Sequence, residues 1–197
     1  MTFYKFVIVI LKPFIKVIFR AKTIGEENIP KTGAVVLCSN HKSNVDPFLV
    51  GCVMNRQIYF MAKASLFSIP VIGFLCRKLG AFPVHRGKGD RDAFRSANQI
   101  LKNGNILALF PEGHRLKVGD TPQMFKTGAA RFAFNNKSPI LPIAIIVKGS
   151  ARPFKKTFIK IGKLITYDEL GFTVGNDIEI KRVTAEIRQK VIDLLEI

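Results

Sequence analysis

A chain of 197 residues with 31 Lys+Arg against 14 Asp+Glu carries a formal net charge of +17, yet 48% of it is hydrophobic, with 17 Phe, 3 Tyr and no Trp. The length fits one domain that buries roughly 70% of its unfolded surface, and the apolar content excludes a disordered basic chain. No window reaches the roughly 18 to 20 nearly uncharged apolar residues of a spanning helix, which argues against a multi-span membrane protein. A greasy and basic domain points to anionic lipid before it points to nucleic acid.

The N-terminal stretch MTFYKFVIVILKPFIKVIFR reads as a helix. At about 100° per residue, Lys5, Lys12, Lys16 and Arg20 fall within about 80° of one another. Phe3, Phe6, Val7, Ile10, Leu11, Phe14, Ile15 and Ile18 cover the broad opposite side. An amphipathic helix with a basic stripe is the pattern of an element lying in a membrane interface. The competing expectation is a helix packed on the domain core with solvated lysines. Pro13 is expected to kink the helix or to open its second half. Residues 1–22 hold five basic side chains and no acidic one, and each basic group near an anionic leaflet is worth about 1 kcal/mol. The interrupting lysines and the lack of a small-x-small site argue against a secretory signal. Two parts are therefore expected: a membrane-associating segment over 1–24 and a globular domain over 25–197.

Gly25 to Pro30 reads as the connection, and Val35-Val36-Leu37-Cys38 as a buried strand. The polar residues 39–45 form a strand-to-helix loop, where α/β folds place functional groups. Asp46-Pro47 is a helix start, with Asp as N-cap, running through Gly51. Ile58 to Met61 reads as a strand. Ser65 to Leu79 is apolar, with Pro70 and Gly73 inside it, and fits either a buried helix or a second membrane-touching element. Asp90 caps a helix bearing Ala93, Phe94, Ala97, Ile100 and Leu101 on one face, ended by Gly104. Ile106 to Phe110 is a buried strand stopping at Pro111-Glu112-Gly113. A short helix over 127–135, a strand from Ile140 to Val147 and a strand near a sheet edge from Phe158 to Ile165 follow. Thr184 opens a last helix. This alternation predicts an α/β fold: a mostly parallel or mixed sheet flanked by helices on both faces. Cys38, Cys52 and Cys76 are odd in number and lack CxxC spacing, as expected of reduced thiols in an intracellular protein.

Two blocks concentrate polar chemistry. In Asn40-His41-Lys42-Ser43-Asn44-Val45-Asp46 the spacing lets a carboxylate fold back onto one imidazole nitrogen, holding the other as an acceptor. Taken alone, His41 is equally a loop residue and Asp46 a cap. In Phe110-Pro111-Glu112-Gly113-His114-Arg115, charged groups crowd the C-terminal end of a buried strand, where open α/β sheets bind ligands. Arg115 has the shape to fork onto a phosphate. No ligand cluster for a metal and no Gly-Lys-Ser/Thr phosphate loop is present in the sequence, so neither a metal nor a nucleoside triphosphate is implied and no cofactor is expected.

Taken together, NHKSNVDPF, then GAFPVHR over 80–86, then FPEGHR, then PILPIAI over 139–145 resemble the glycerolphosphate acyltransferase superfamily, and within it the bacterial 1-acylglycerol-3-phosphate acyltransferases. The blocks stand in order and at ordinary spacing, and AKASLF and FKTGAARFA add to the likeness, which extends from about residue 25 to 180. The resemblance implies His41 as general base with Asp46 supporting it. It also implies binding of the glycerol phosphate by Arg86, Glu112, Gly113 and Arg115, with Lys126 as a further phosphate ligand. The implied reaction moves a fatty acyl chain from acyl-CoA or acyl carrier protein to the sn-2 hydroxyl of lysophosphatidic acid, giving phosphatidic acid. Where the family reads Glu-Gly-Thr-Arg this chain has Glu-Gly-His-Arg, which bears on acceptor choice. His85 is expected to be an exposed loop residue.

The partners expected are an anionic membrane surface, lysophosphatidic acid, and acyl-CoA or an acidic carrier protein, at the cytoplasmic face of the membrane in a peripheral or monotopic arrangement. Lys148, Arg152, Lys155, Lys156, Lys160 and Lys163 offer a surface for such a carrier, or a solvated strand face. A nucleic-acid-binding module is disfavoured, since no binding motif accompanies the charge and the Phe residues sit in apolar runs. A silent membrane-binding protein would bind vesicles without thioester turnover. Other lyso-lipids or amino-acid lipids are the alternative acceptors.

Overall fold

The computed structural model describes residues 3–85, 89–115, 122–147 and 153–196. Its sheet is built from β1 (Lys22–Ile24), β2 (Val35–Ser39), β3 (Ile58–Lys63), β4 (Ala81–Val84), β5 (Ile106–Leu109), β6 (Ile140–Val147) and β7 (Thr157–Ile161). The helices are α1 (Phe3–Ile18), α2 (Asp46–Val53), α3 (Pro70–Lys78), α4 (Arg91–Lys102), α5 (Gly128–Asn136) and α6 (Asp177–Leu195). The strand order is β1-β7-β6-β2-β5-β3-β4. The strands from β6 to β4 are mutually parallel, while β7 runs antiparallel to β6 and β1 runs parallel to β7. The sheet is thus mixed, with helices on both faces.

The central strands form because their sequences are almost wholly apolar. Val-Val-Leu-Cys-Ser in β2 and Ile-Leu-Ala-Leu in β5 are buried throughout, as parallel strands covered on both faces must be. Val35, Leu37, Ile58 and Ile106 face a core shared with Tyr4, Phe19, Leu49 and Val50 of the α1–α2 side. Val36, Cys38 and Leu107 face Ala97, Phe132, Ile180 and Ile187 of α4, α5 and α6.

Several elements differ from expectation. One helix spans Phe3–Ile18 with Pro13 inside it, so the proline does not start a separate element. Three faces divide α1: Tyr4, Ile8, Ile15 and Ile18 pack on the core, Lys5, Lys12 and Lys16 are exposed, and Phe3, Phe6, Ile10, Phe14 and Val17 form an exposed apolar stripe. β1, just before the expected 24/25 boundary, pairs with β7. It takes the edge position and leaves β7 one strand in. The last helix starts at Asp177, not Thr184. Asn176 caps it by accepting the Glu179 N–H, and Glu179 in turn accepts the N–H groups of Thr173, Val174 and Gly175. Its first turn is polar or exposed, so the apolar periodicity begins only at Ile180. Asp90 caps α4 as expected, accepting from the Asp92 and Ala93 N–H groups.

Two devices bring the loop after β2 to the sheet's C-terminal edge. Cys38 is in register with Leu109, so His41 and Glu112, each three residues further on, emerge level with one another. Asn40, fully buried, donates from Nδ2 to the Ile145 carbonyl at 3.0 Å and accepts the Ile145 N–H at 2.7 Å. A side chain thereby extends the β2–β6 ladder past the last strand residue. Asn40→Ala should leave both Ile145 backbone groups unpaired and destabilise the protein by about 2–4 kcal/mol, measured by urea denaturation.

Candidate active site

The site grows from one carboxylate. Asp46 is the first residue of α2, and Val45 occupies the N-cap with no side-chain cap bond. The expectation that Asp46 is the N-cap is therefore corrected. Its Oδ2 turns back to accept His41 Nδ1 at 2.9 Å, the Lys42 N–H at 2.6 Å and the Ser43 N–H at 2.7 Å. Those donors belong to the preceding loop, and engaging them takes the oxygen away from the helix amides. A carboxylate only accepts, so His41 Nδ1 carries the proton and Nε2 is left as the basic nitrogen of the neutral ring.

Two further contacts fix the imidazole. Phe110, the residue after β5, stacks on it with centroids 4.2 Å apart and planes 21° apart, and Phe60 of β3 stacks behind Phe110 at 5.8 Å. Glu112 Oε2 accepts the His41 backbone N–H at 2.9 Å. The Glu112 side chain is buried, and burial pushes its carboxyl up to about 7, with the Asp46 charge adding to the rise while the His41 N–H and Lys42 oppose it. Asp46 Oδ1 and Glu112 Oε1 are both buried without a protein hydrogen-bond partner.

The structure brings His41, Asp46, Glu112, Gly113, Arg115 and Lys126 to this one edge. Arg115 is exposed and donates to Asn44 Oδ1 at 3.1 Å, reaching back to the His41 loop. Lys126 donates its backbone N–H to the Pro111 carbonyl at 2.8 Å. Its side chain crosses Gly113 so closely that a Cβ there would lie 2.7 Å from Nζ, and Gly113 has φ +73°. Arg86 lies outside the described residues, as do Lys148 and Arg152. His85 and His114 are exposed. Sequence reasoning missed three supporting side chains: Asn40, Asn44 and Phe110. All sit inside the quoted motifs, but their tasks depend on partners 71, 105 or, across the sheet, many residues away.

The arrangement is an oriented, half-buried imidazole with a free nitrogen, beside two cations that can meet an anion. The profile of the family described as Acyltransferase matches residues 20–146. The chain belongs to that family. It is similar to the 1-acyl-sn-glycerol-3-phosphate acyltransferase of Bacillus subtilis, at 32% identity over 160 residues, covering 80% of this chain and 79% of that one. The enzyme of the same description from Borreliella burgdorferi is 28% identical over 179 residues, covering 87% and 70%. Among solved structures, the 1-acyl-sn-glycerophosphate acyltransferase PlsC of Thermotoga maritima superposes with a TM-score of 0.76 at 26% identity, covering 98% of this chain and 82% of that chain.

In this acyltransferase the raised Glu112 pKa has a definite sign. Between its free value of 4.5 and about 7 the folded state binds more protons than the unfolded one, so this group's contribution falls as pH rises through that window and is constant above it. Glu112→Gln removes the dependence. Its stability relative to wild type should therefore improve by on the order of 2 kcal/mol between about pH 4.5 and pH 8, read from urea denaturation at both pH values.

Proposed function

We propose that this acyltransferase transfers a fatty acyl chain from acyl-CoA or acyl carrier protein to the sn-2 hydroxyl of 1-acylglycerol-3-phosphate, forming phosphatidic acid for phospholipid synthesis. The observation that carries the mechanism is the 2.9 Å contact between His41 Nδ1 and Asp46 Oδ2, which leaves Nε2 to act on a hydroxyl. The similar enzymes named above supply the acceptor class.

In the proposed reaction His41 Nε2 removes the sn-2 hydroxyl proton as that oxygen attacks the thioester carbonyl. The tetrahedral adduct then collapses, the C–S bond breaks, and the imidazolium returns the proton to the leaving thiolate. Asp46 keeps the ring in the required tautomer and stabilises the imidazolium. Glu112 and Phe110 position it, one through the backbone and one through the ring face. Arg115 and Lys126, joined by Arg86, meet the acceptor phosphate, and Gly113 leaves room for the Lys126 side chain. A base of this kind contributes about 10²- to 10⁴-fold, with substrate positioning supplying much of the rest.

The exposed stripe of Phe3, Phe6, Ile10, Phe14 and Val17 beside exposed lysines supports a peripheral or monotopic seat on an anionic membrane surface, which the proposal places at the cytoplasmic face. No described helix is long and apolar enough to cross a membrane.

Purified His41→Ala should lose about 10²- to 10⁴-fold in kcat while retaining acceptor binding, measured by thioester turnover and by lipid binding in parallel. Wild-type kcat in that variant would sink the mechanism. Arg115→Ala should raise KM for lysophosphatidic acid about tenfold or more and leave a neutral-headgroup acceptor nearly unaffected. Equal effects on both acceptors would remove Arg115 from the phosphate.

A further inference from the structure

The apolar surface of this protein is gathered on one layer. Of the eighteen exposed large hydrophobic side chains among the described residues, thirteen lie on α1, α2 and the segment 65–79. The segment 65–79 is not a buried helix. Val71 is 70% exposed and Phe74 54%, with Leu66, Ile69, Ile72 and Leu75 also exposed. Only Gly73 in α3 is buried, and a Cβ there would lie 2.5 Å from the Phe67 carbonyl oxygen, so α3 stands on its own preceding turn.

α1, α2 and α3 share a face of the sheet. The steps β2→β3 and β3→β4 move the same way along the strand order, and right-handed crossovers then place α2 and α3 on the same side. Leu79, the residue after α3, packs on the same core cluster as Tyr4 of α1 and Leu49 of α2. α1 reaches β7 through the Phe19 carbonyl, which accepts the Thr157 N–H, whereas α3 lies beside β4 at the far edge. α2, which carries Asp46 and the exposed Phe48, therefore sits between two elements with bare apolar surface.

Charge follows the same division. No Asp or Glu occurs between Asp46 and Asp90, a stretch that includes Arg56, Lys63, Arg77 and Lys78. Arg77 and Lys78 stand over the Phe67 and Phe74 rings at 5.4 and 5.7 Å. The opposite layer instead mixes signs, with the ion pairs Asp92–Arg95 and Arg182–Glu186 on its helices. Thirteen bare hydrophobic side chains on one layer call for a covering partner, and the basic residues of α1 and α3 beside them select one that is apolar inside and anionic at its face.

We infer that α3, with Leu66 and Ile69, is a second lipid-seated element that enters the interface of an anionic bilayer together with α1. The two contacts flank α2 and hold the His41 loop against the lipid surface from which the acceptor comes. This rests on the lipid-acceptor reading above and adds a contact that reading does not need.

Because the chain has no Trp, a single introduced tryptophan reports one position without background. On adding phosphatidylglycerol vesicles, Phe74→Trp emission should shift to the blue and be quenched about twofold or more by lipids brominated in the acyl chain. Phe14→Trp should respond alike, and Ile178→Trp on the opposite layer should not. An unchanged Phe74→Trp beside a responding Phe14→Trp would overturn the inference and leave the lipid-acceptor reading intact. No response from either would also overturn it. Blue-shifted Phe74→Trp emission that depends on protein concentration before vesicles are added would show a second copy covering α3, and would likewise overturn it. In a second measurement, Val71→Glu/Phe74→Glu should weaken vesicle partitioning about tenfold or more while keeping turnover of a micelle-free, short-chain acceptor. Unchanged partitioning of this variant would overturn the inference, whereas a wild-type enzyme inert toward lysophosphatidic acid would sink the underlying reading instead.

Discussion

A single oxygen, Asp46 Oδ2, organises the site. Placed in a fully buried position, a carboxylate needs hydrogen-bond donors, and this one collects the His41 ring and two consecutive backbone amides. It also sits in the first turn of α2, where the helix dipole favours negative charge. Those bonds fold the loop after β2 into a tight reversal and fix the imidazole with the same stroke. The loop's shape and the ring's tautomer cannot be changed independently: any residue at 46 that fails to accept would release the amides of Lys42 and Ser43 along with His41.

The parallel sheet supplies the second constraint. With Cys38 and Leu109 side by side, the chains leaving β2 and β5 must run next to each other, and Glu112 meets the His41 backbone because of that register. Asn40 ties the same loop to β6. The loop is thus held by its own helix, by the neighbouring strand on one side and by the neighbouring strand on the other. Two carboxylates in so small a buried volume repel one another, and the structure resolves this unequally. Asp46 receives three donors through one oxygen, whereas Glu112 receives one and has its carboxyl pushed up to about 7.

The sequence made legible those parts whose signal is local. β5 and β6 are unbroken apolar runs and β2 is one up to Ser39, α4 has an Asp cap and a Gly stop, and His41 with Asp46 lies within one loop. Short or polar elements were not legible. β1 has three residues, and only its pairing with β7 makes it a strand. β4 contains a proline and sits at an edge. The first turn of α6 is stabilised by the Asn176 cap and not by apolar burial, so periodicity placed its start too late. Within the site, Phe110 and Asn40 were invisible for the same reason: one stacks and the other bridges across strands, and a linear motif carries no record of which strands are adjacent. The segment 65–79 was ambiguous because its composition is the same whether it is buried or bare, and tertiary placement alone decides between them.

The net charge of +17 also gains a direction. Residues 1–89 hold three of the fourteen acidic side chains, and one of the three, Asp46, is committed to the loop. A net positive field concentrates any anion near the surface. In the proposed reaction the headgroups, the phosphorylated acceptor and either thioester donor are all anions, so long-range attraction cannot choose among them, and at physiological ionic strength it fades beyond about 8 Å. Selection then falls to contacts with fixed geometry. Arg115 is held to Asn44 of the His41 loop and Lys126 is threaded over Gly113, so these two cations are positioned relative to the imidazole, whereas the lysines of α1 are exposed on a helix surface. Charge on the loops after β2 and β5, unlike that on the helices, stands in a fixed relation to His41.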